Sequence, residues 1–212
     1  MKRFEKVLLV IVAAVILAYV GGVGMYYILG IDFYGTFLEI TVTDIRHYGV
    51  YNGNRDNKIP SKFIRSYFPE KIMPYFTDPV YHYKSQRPGI YACEAWLEFT
   101  IEEEKFFEGH YSELQQLGSP QPFPYNDAYE VWVISNELDL YEQVEYREEP
   151  ELAISYSKIG FILCDKEEQR FIYAALLVAN GGTAPVEVLS YIWDKLDIDP
   201  IEYEQNIQSC TM

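Results

Sequence analysis

The stretch YACEAWLEFTI, Tyr91 to Ile101, decides the fold, because it alternates without a break over eleven residues. Such alternation places successive side chains on opposite faces of a β-strand. One face carries Tyr91, Cys93, Ala95, Leu97, Phe99 and Ile101, and the other carries Ala92, Glu94, Trp96, Glu98 and Thr100. The stretch therefore predicts a strand with one strongly apolar face, and the segments around it are interpreted from there.

A helix is predicted directly after this strand. Thr100 and Glu103 have the spacing of a capping box, and the glutamates at 102–104 would lie where a helix N-terminus favours negative charge. The helix should extend to about Leu117, with a buried face at spacings of four and three made of Phe107, Tyr111 and Leu114. The glutamates therefore need no functional role to explain them.

Further strands are predicted beyond the proline-containing loop from Gly118 to Asp127. They are Tyr129 to Ser135, Leu138 to Arg147, Leu152 to Cys164 and Arg170 to Ala179, with turns at Asn136–Glu137 and Asp165 to Gln169. Phe171 to Ala179 is apolar on both faces, which is typical of a central strand that is covered on both sides. An amphipathic helix is predicted at the end, from Ala184 to Leu196, with Asp197 to Pro200 terminating it and with Val186, Leu189, Ile192, Trp193 and Leu196 facing inward.

Upstream of Tyr91 the signals are weaker. Thr36 to Ile45 alternates as a strand, Tyr51 to Lys58 is predicted to be a turn, and Lys62 to Phe68 a short helix. From there to Pro88 the chain is predicted to be irregular, because prolines interrupt it. Runs of strands with few helices between them favour an α+β fold: one mostly antiparallel sheet with two or three helices.

The N-terminal segment predicts a membrane anchor. Val7 to Leu29 contains 23 residues without a charge, enough for a helix to cross a bilayer. Lys2, Arg3 and Lys6 outweigh Glu5, which predicts a cytoplasmic N-terminus at 1–6 and an extracytoplasmic α+β domain at 30–212. A cleaved signal peptide ending near Gly21 to Gly24 is the alternative, and both interpretations export the domain. We therefore expect a single-pass protein of a bacterial-type cell membrane.

Composition adds two expectations. Aromatic residues make up 17% of the chain and 20 of its residues are tyrosines, which favours broad, half-exposed sheet faces over one deep core. Three cysteines are too few for a disulfide scaffold. Cys93 and Cys164 both fall in predicted strands, and the spacing leaves open whether they form a disulfide or stay as two buried thiols. Cys210 is expected to be exposed near the chain end.

Charge is unevenly distributed along the chain. Residues 46–87 contain eight basic and three acidic residues, a net charge of +5, whereas residues 91–212 contain six basic and 25 acidic residues, a net charge of −19. Either the basic segment packs on the acidic part and offsets its repulsion, or the acidic part faces a cationic partner. A total charge of −15 disfavours nucleic-acid binding, which needs a dominant basic surface.

Each candidate site in the sequence has a simpler structural explanation. Asn52, Asn54 and Asp56 imitate a calcium loop that then lacks its glycine and glutamate, so they predict a turn. Asn180 to Thr183 joins a strand to a helix and suits an anion only weakly. The others are an acidic cluster of low-affinity calcium type at Asp197, Asp199 and Glu202, and three unrelated surface or half-buried imidazoles at His47, His82 and His110. No catalytic, cofactor-binding or metal-binding residue is assigned.

The sequence thus favours a membrane-anchored, extracytoplasmic binding module that holds a protein or cell-wall partner through tyrosine-rich and acidic surface. The alternatives are a cell-envelope hydrolase that uses carboxylates, with two acids or a Cys–His pair meeting in a cleft, and an accessory subunit of a membrane complex.

Overall fold

The computed structural model describes residues 38–48, 59–87, 91–143, 151–179 and 184–208. These residues contain eight strands and four α-helices, together with 3₁₀ turns at Ile45–His47 and Val186–Leu189. The strands are β1 (Leu38–Val42), β2 (Thr77–Arg87), β3 (Tyr91–Thr100), β4 (Gln121–Pro122), β5 (Tyr129–Gln143), β6 (Glu151–Asp165), β7 (Arg170–Ala179) and β8 (Ala184–Pro185). The helices are α1 (Ile59–Arg65), α2 (Glu104–Gln115), α3 (Tyr191–Leu196) and α4 (Pro200–Gln208).

All the strands belong to one antiparallel sheet. Its order is β1-β2-β3-β7-β6-β5-β4, and β8 pairs with β6 outside this path. The α+β prediction with a mostly antiparallel sheet is confirmed for the described residues, with four helices in place of two or three. The predicted turn between β6 and β7 is also confirmed, and the Asp165 carboxylate accepts N–H groups of Glu167 and Glu168 there.

Both faces of the sheet are covered. The α1–α2 face packs against α1, the segment that follows it, and α2, through the buried residues Ile64, Phe68, Phe76, Phe107, Tyr111 and Leu114. The α3–α4 face packs against the C-terminal elements through Phe123, Leu189, Ile192, Trp193, Ile198 and Tyr203. Strand β7 sends alternate residues to the two cores, and Phe171 to Val178 are all buried. The prediction of a central, doubly covered strand is therefore confirmed.

The tyrosines are divided between the cores and the surface, so the expectation of half-exposed, tyrosine-rich faces holds only in part. Tyr48, Tyr81, Tyr173 and Tyr203 are each at most 3% exposed. The Tyr48 hydroxyl donates to the Pro69 carbonyl at 2.6 Å, and that of Tyr203 donates to Asn136 Oδ1 at 2.9 Å. Other tyrosines are half-buried or exposed: Tyr67, Tyr75, Tyr125, Tyr129, Tyr141, Tyr156 and Tyr191.

The chain before Pro88 is not irregular, as β2 runs for eleven residues between β1 and β3. Pro79 is one of the prolines that led to the prediction of irregular structure. It lies between Thr77 and Val80, where the β2–β3 register shifts, and a strand tolerates proline at such a bulge. Two other elements predicted in this part of the chain have different bounds. The first strand ends at Val42 and not at Ile45, and the short helix is Ile59–Arg65 and not Lys62 to Phe68.

The two strands predicted on either side of Asn136–Glu137 are one strand, β5, which runs through both residues. Its partner β6 is equally long and pairs with it from Tyr129 to Gln143. The β5–β6 register shifts after Val133 and after Asp139, so β5 continues through the predicted turn with two irregularities.

The prediction of a capping box before α2 is also wrong. Thr100 is the last residue of β3, and its hydroxyl approaches the Thr77 carbonyl at 3.4 Å, while Glu103 occupies the N-cap position without a side-chain hydrogen bond. The buried face of the helix is nevertheless as predicted, with His110 added to Phe107, Tyr111 and Leu114.

The single C-terminal helix predicted from Ala184 to Leu196 is wrong. Ala184 and Pro185 pair with β6, a 3₁₀ turn follows, and only Tyr191–Leu196 is α-helical. Asp197 ends α3 in the left-handed conformation at φ 54°, as the predicted stop requires. Pro200 then begins α4, which is consistent with the preference of proline for the first turn of a helix.

Val7 to Leu29 lies outside the described residues, so the anchor stays a prediction. Among the helices that are described, none has the length and apolar character needed to cross a bilayer.

Gly160 allows the α1 layer to approach the sheet. A Cβ at this position would lie 2.7 Å from Phe63 Cζ and 2.7 Å from Tyr67 Oη. The Tyr67 hydroxyl is itself held in place, because it donates to the Ala174 carbonyl at 2.7 Å. Gly160 pairs with Ala175, so small residues of adjacent strands form the floor on which these rings rest.

Gly160→Ala should therefore lower the free energy of unfolding by about 1–3 kcal/mol, because two rigid rings must move. Gly109→Ala is the matched control: its Cβ would meet nothing within 4 Å and would lie in a helix, so it should raise the stability by up to about 1 kcal/mol. Urea denaturation of both variants measures the difference. Equal effects of the two substitutions would show that the rings do not rest on Gly160.

Candidate functional site

A cavity of about 490 Å³ lies where α3 ends and α4 begins. We call it the acidic cavity, because four carboxylate side chains line it. Its lining consists of Val186, Ser190, Trp193, Asp194, Asp197, Ile198, Asp199, Pro200 and Glu202. The structure thus brings together Asp197, Asp199 and Glu202, which the sequence marks as an acidic cluster, and adds Asp194 and Trp193 to them.

The backbone between the two helices sets the positions of these carboxylates. The left-handed residue Asp197 turns the chain, and the Ile198 N–H returns to the Trp193 carbonyl at 3.1 Å. Asp199 then starts α4: its Oδ1 accepts the Ile201 N–H at 2.8 Å, and its carbonyl accepts the Tyr203 N–H at 2.9 Å. The turn therefore holds the last turn of α3 and the first turn of α4 side by side.

Buried side chains fix this turn to the sheet. Ile198 is buried, and the rings of Trp193 and Tyr203 pack with their centroids 5.0 Å apart. The Tyr203 hydroxyl donates to Asn136 of β5. These contacts hold the turn between α3 and α4 against the sheet.

The charge of the acidic cavity is uncompensated within the described part of the chain. Asp194, Asp197, Asp199 and Glu202 have no ion-pair partner there. The carboxylates of Asp194, Asp197 and Glu202 also make no hydrogen bond within the same residues. Exposed acids often remain solvated in this way, so charge alone does not make a site.

Trp193 provides an independent indication of binding. Its side chain lines the acidic cavity and is 3% exposed, yet its Nε1–H has no acceptor among the described residues. A buried donor without an acceptor costs about 1–3 kcal/mol, and such groups in native proteins call for an explanation. The acidic cavity therefore combines negative charge with the side chain of a buried tryptophan in one lining.

The carboxylates do not converge on a single point. No group of three or more His, Cys, Asp or Glu side chains among the described residues is arranged to hold one metal ion. Side chains spread around a cavity of this size suit an extended organic cation, whose charge is distributed over several atoms.

Two of the three histidines are buried, which corrects the expectation of surface or half-buried imidazoles. The His82 ring lies parallel to that of Tyr191 with centroids 3.7 Å apart. Its Nε2 is 3.4 Å from Oε1 of Glu94, a carboxyl group that is 1% exposed. The two atoms are in contact without hydrogen-bond geometry. His47, in contrast, is exposed.

His110 is also part of a core. Its Nε2 lies 2.8 Å from the Tyr173 hydroxyl, and burial lowers the pKa of His110 to about 4. The imidazole is therefore neutral at pH 7 and shares one hydrogen bond with the Tyr173 hydroxyl. Because the pair is packed among Phe76, Phe99 and Phe171, we assign it a structural role.

Cys93 and Cys164 are buried free thiols, which settles the alternative that their spacing left open. Burial raises the pKa of Cys164 to about 12, so its thiol stays protonated and is a poor nucleophile. Asn52, Asn54, Asp56 and the segment 180–183 lie outside the described residues, as does Cys210.

Comparison of the chain with protein-family models, with curated proteins and with solved structures finds no match.

Proposed function

We propose that this protein is a membrane-anchored, extracytoplasmic binding module whose acidic cavity receives a basic side chain of a polypeptide partner. One observation carries the proposal: four carboxylates without a cationic partner among the described residues line one cavity together with Trp193, whose buried indole N–H has no acceptor there. A cationic side chain of the partner would neutralise these carboxylates.

The chemistry favours arginine over lysine. A guanidinium group presents five N–H donors in a plane and is less strongly hydrated than an ammonium group, so it can contact several carboxylates at a smaller desolvation cost. The net charge of −15 would also accelerate encounter with a basic partner, and salt would weaken this effect. We therefore propose an arginine-containing basic segment as the bound element.

The peptide acetyl-Gly-Gly-Arg-Gly-Gly-amide should bind full-length protein in detergent micelles and shift the Trp193 indole N–H signal in a ¹H–¹⁵N spectrum, because Trp193 lines the cavity that the arginine side chain enters. The double variant Asp194→Asn, Asp197→Asn should weaken binding about tenfold, the equivalent of losing one hydrogen bond between charged groups. Asparagine is chosen because it tolerates the left-handed conformation at position 197.

The control variant Glu102→Gln, Glu108→Gln changes the net charge equally but lies at exposed positions by α2, so the affinity should be unchanged. The same peptide with citrulline, a neutral isostere of arginine, should not bind. Equal binding of both peptides, equal loss in both double variants, or a Trp193 shift produced by CaCl₂ and not by the peptide would overturn the proposal.

The membrane orientation has a separate test. In intact cells that express the protein with a tag at each end, added protease should remove the C-terminal tag and leave the N-terminal tag intact, because the basic residues before Val7 keep that end inside. Protection of both tags, or recovery of the full-length protein in the soluble cell fraction, would contradict the proposed topology.

A further inference from the structure

A second cavity, of about 220 Å³, lies beside the C-terminal end of α3 and is separate from the acidic cavity. We call it the basic cavity. Its polar lining consists of Glu98, Asn126, Tyr129, Arg170 and Lys195. Trp96, Phe123 and Ile172 are buried and form its apolar floor.

One carboxylate in this lining is already neutralised. Glu98 pairs with Arg170, and Glu98 Oε2 also accepts the Trp96 indole N–H at 3.1 Å. These contacts fix Glu98 and leave further N–H groups of the Arg170 guanidinium for a ligand, since it carries five donors.

Three more donors of the basic cavity are unused among the described residues. The Asn126 side chain accepts the Ala128 N–H through Oδ1 at 3.0 Å, which leaves its NH₂ group to donate. Burial raises the pKa of Tyr129, so its hydroxyl keeps its proton. Lys195 lies 5.8 Å from the centre of the Tyr191 ring and has no carboxylate partner.

The lining of the basic cavity contains more cations than carboxylates. Two cations and one carboxylate line it, while Asp165 and Glu168 add negative charge beside Arg170 and Tyr129 from outside the lining. Four donors and an apolar floor are the features of a site for a small anion with a carbon skeleton. Because Glu98 repels additional negative charge, the site suits a monoanion more than a dianion such as phosphate near neutral pH.

We propose that the basic cavity binds a small organic monocarboxylate. Its carboxylate would lie between Arg170 and Lys195 and accept hydrogen bonds from Asn126 and Tyr129, and its apolar part would lie on Trp96 and Ile172. This site is independent of the acidic cavity, and its occupation does not require the polypeptide partner.

We choose benzoate as the test ligand and follow its binding through the NMR signal of the Trp96 indole N–H. This group donates a hydrogen bond to Glu98, which lines the basic cavity. The protein has three tryptophans, so three indole signals are expected in a ¹H–¹⁵N spectrum of the full-length protein in detergent micelles. Benzoate should shift the Trp96 signal saturably at constant ionic strength, with little effect on Trp132. Lys195→Gln should weaken binding about tenfold, the effect of removing one charged donor.

Lys105→Gln is the matched control, since Lys105 is exposed on α2 over the other face, and it should leave the affinity unchanged. Benzyl alcohol, which has the ring without the charge, should bind at least tenfold more weakly than benzoate. Absence of a saturable shift, an equal shift with benzyl alcohol, an equal shift with sodium phosphate, or equal effects of the two lysine substitutions would each overturn the proposal.

Discussion

Burial of both faces of the sheet is the constraint on which the rest of the structure depends. In β3 and β7 the alternation of side chains does not separate core from water, because helices and loops cover each side. A strand in this position can keep a polar group only if another element supplies a partner. Glu94 is such a group: it lies on the α3–α4 face, 1% exposed, against His82 of the neighbouring strand. Tyr191 of α3 covers the His82 side chain by stacking on its imidazole ring.

The same constraint determines where unpaired charge remains. Aromatic and aliphatic side chains occupy both faces, and exposed carboxylates such as Glu102, Glu103 and Glu167 lie in turns or at a helix end. The turn from α3 to α4 collects four of them, because a left-handed residue and an N-cap follow each other closely there. The buried residues Trp193, Ile198 and Tyr203 anchor that turn, so the charge is held at a fixed place on a rigid surface. This arrangement connects the core of the protein to its proposed binding function.

The distribution of charge along the chain has a partial structural counterpart. The basic segment supplies α1 and β2, so it packs within the fold and beside the acidic β3. His82 and Glu94 are in contact across this boundary. This position agrees with the interpretation that the basic segment packs on the acidic part. The compensation of repulsion remains a prediction, as does the external cationic partner.

Much of the fold was predictable from period and composition. β3, β6, β7 and the buried face of α2 follow directly from hydrophobic alternation or helical spacing. β2 was missed because Pro79 lies at a bulge, where its missing N–H removes no regular ladder bond. The single strand β5 was divided because its register shifts twice, and the C-terminal helix was too long because Ala184 pairs with β6. In each case a tertiary contact decided the outcome.

The candidate sites were predictable only in part. The sequence marks Asp197, Asp199 and Glu202 as a cluster, since they are close in the chain. It places Trp193 on an inward face, but the missing acceptor of its N–H follows from packing alone. The basic cavity combines residues from β3, β7, α3 and the loop before β5, and no spacing in the sequence relates them.

The α3–α4 layer keeps Glu94 out of water. Urea denaturation of His82→Phe tests this burial most directly, since phenylalanine can still stack on Tyr191 but removes the imidazole nitrogen that contacts the carboxyl group. The expected loss is about 1–3 kcal/mol in the free energy of unfolding, the cost of a buried polar group that loses its partner, and the double variant His82→Phe, Glu94→Met should recover at least half of it. A change within about 0.5 kcal/mol for His82→Phe would show that Glu94 reaches solvent, and it would contradict the doubly covered sheet.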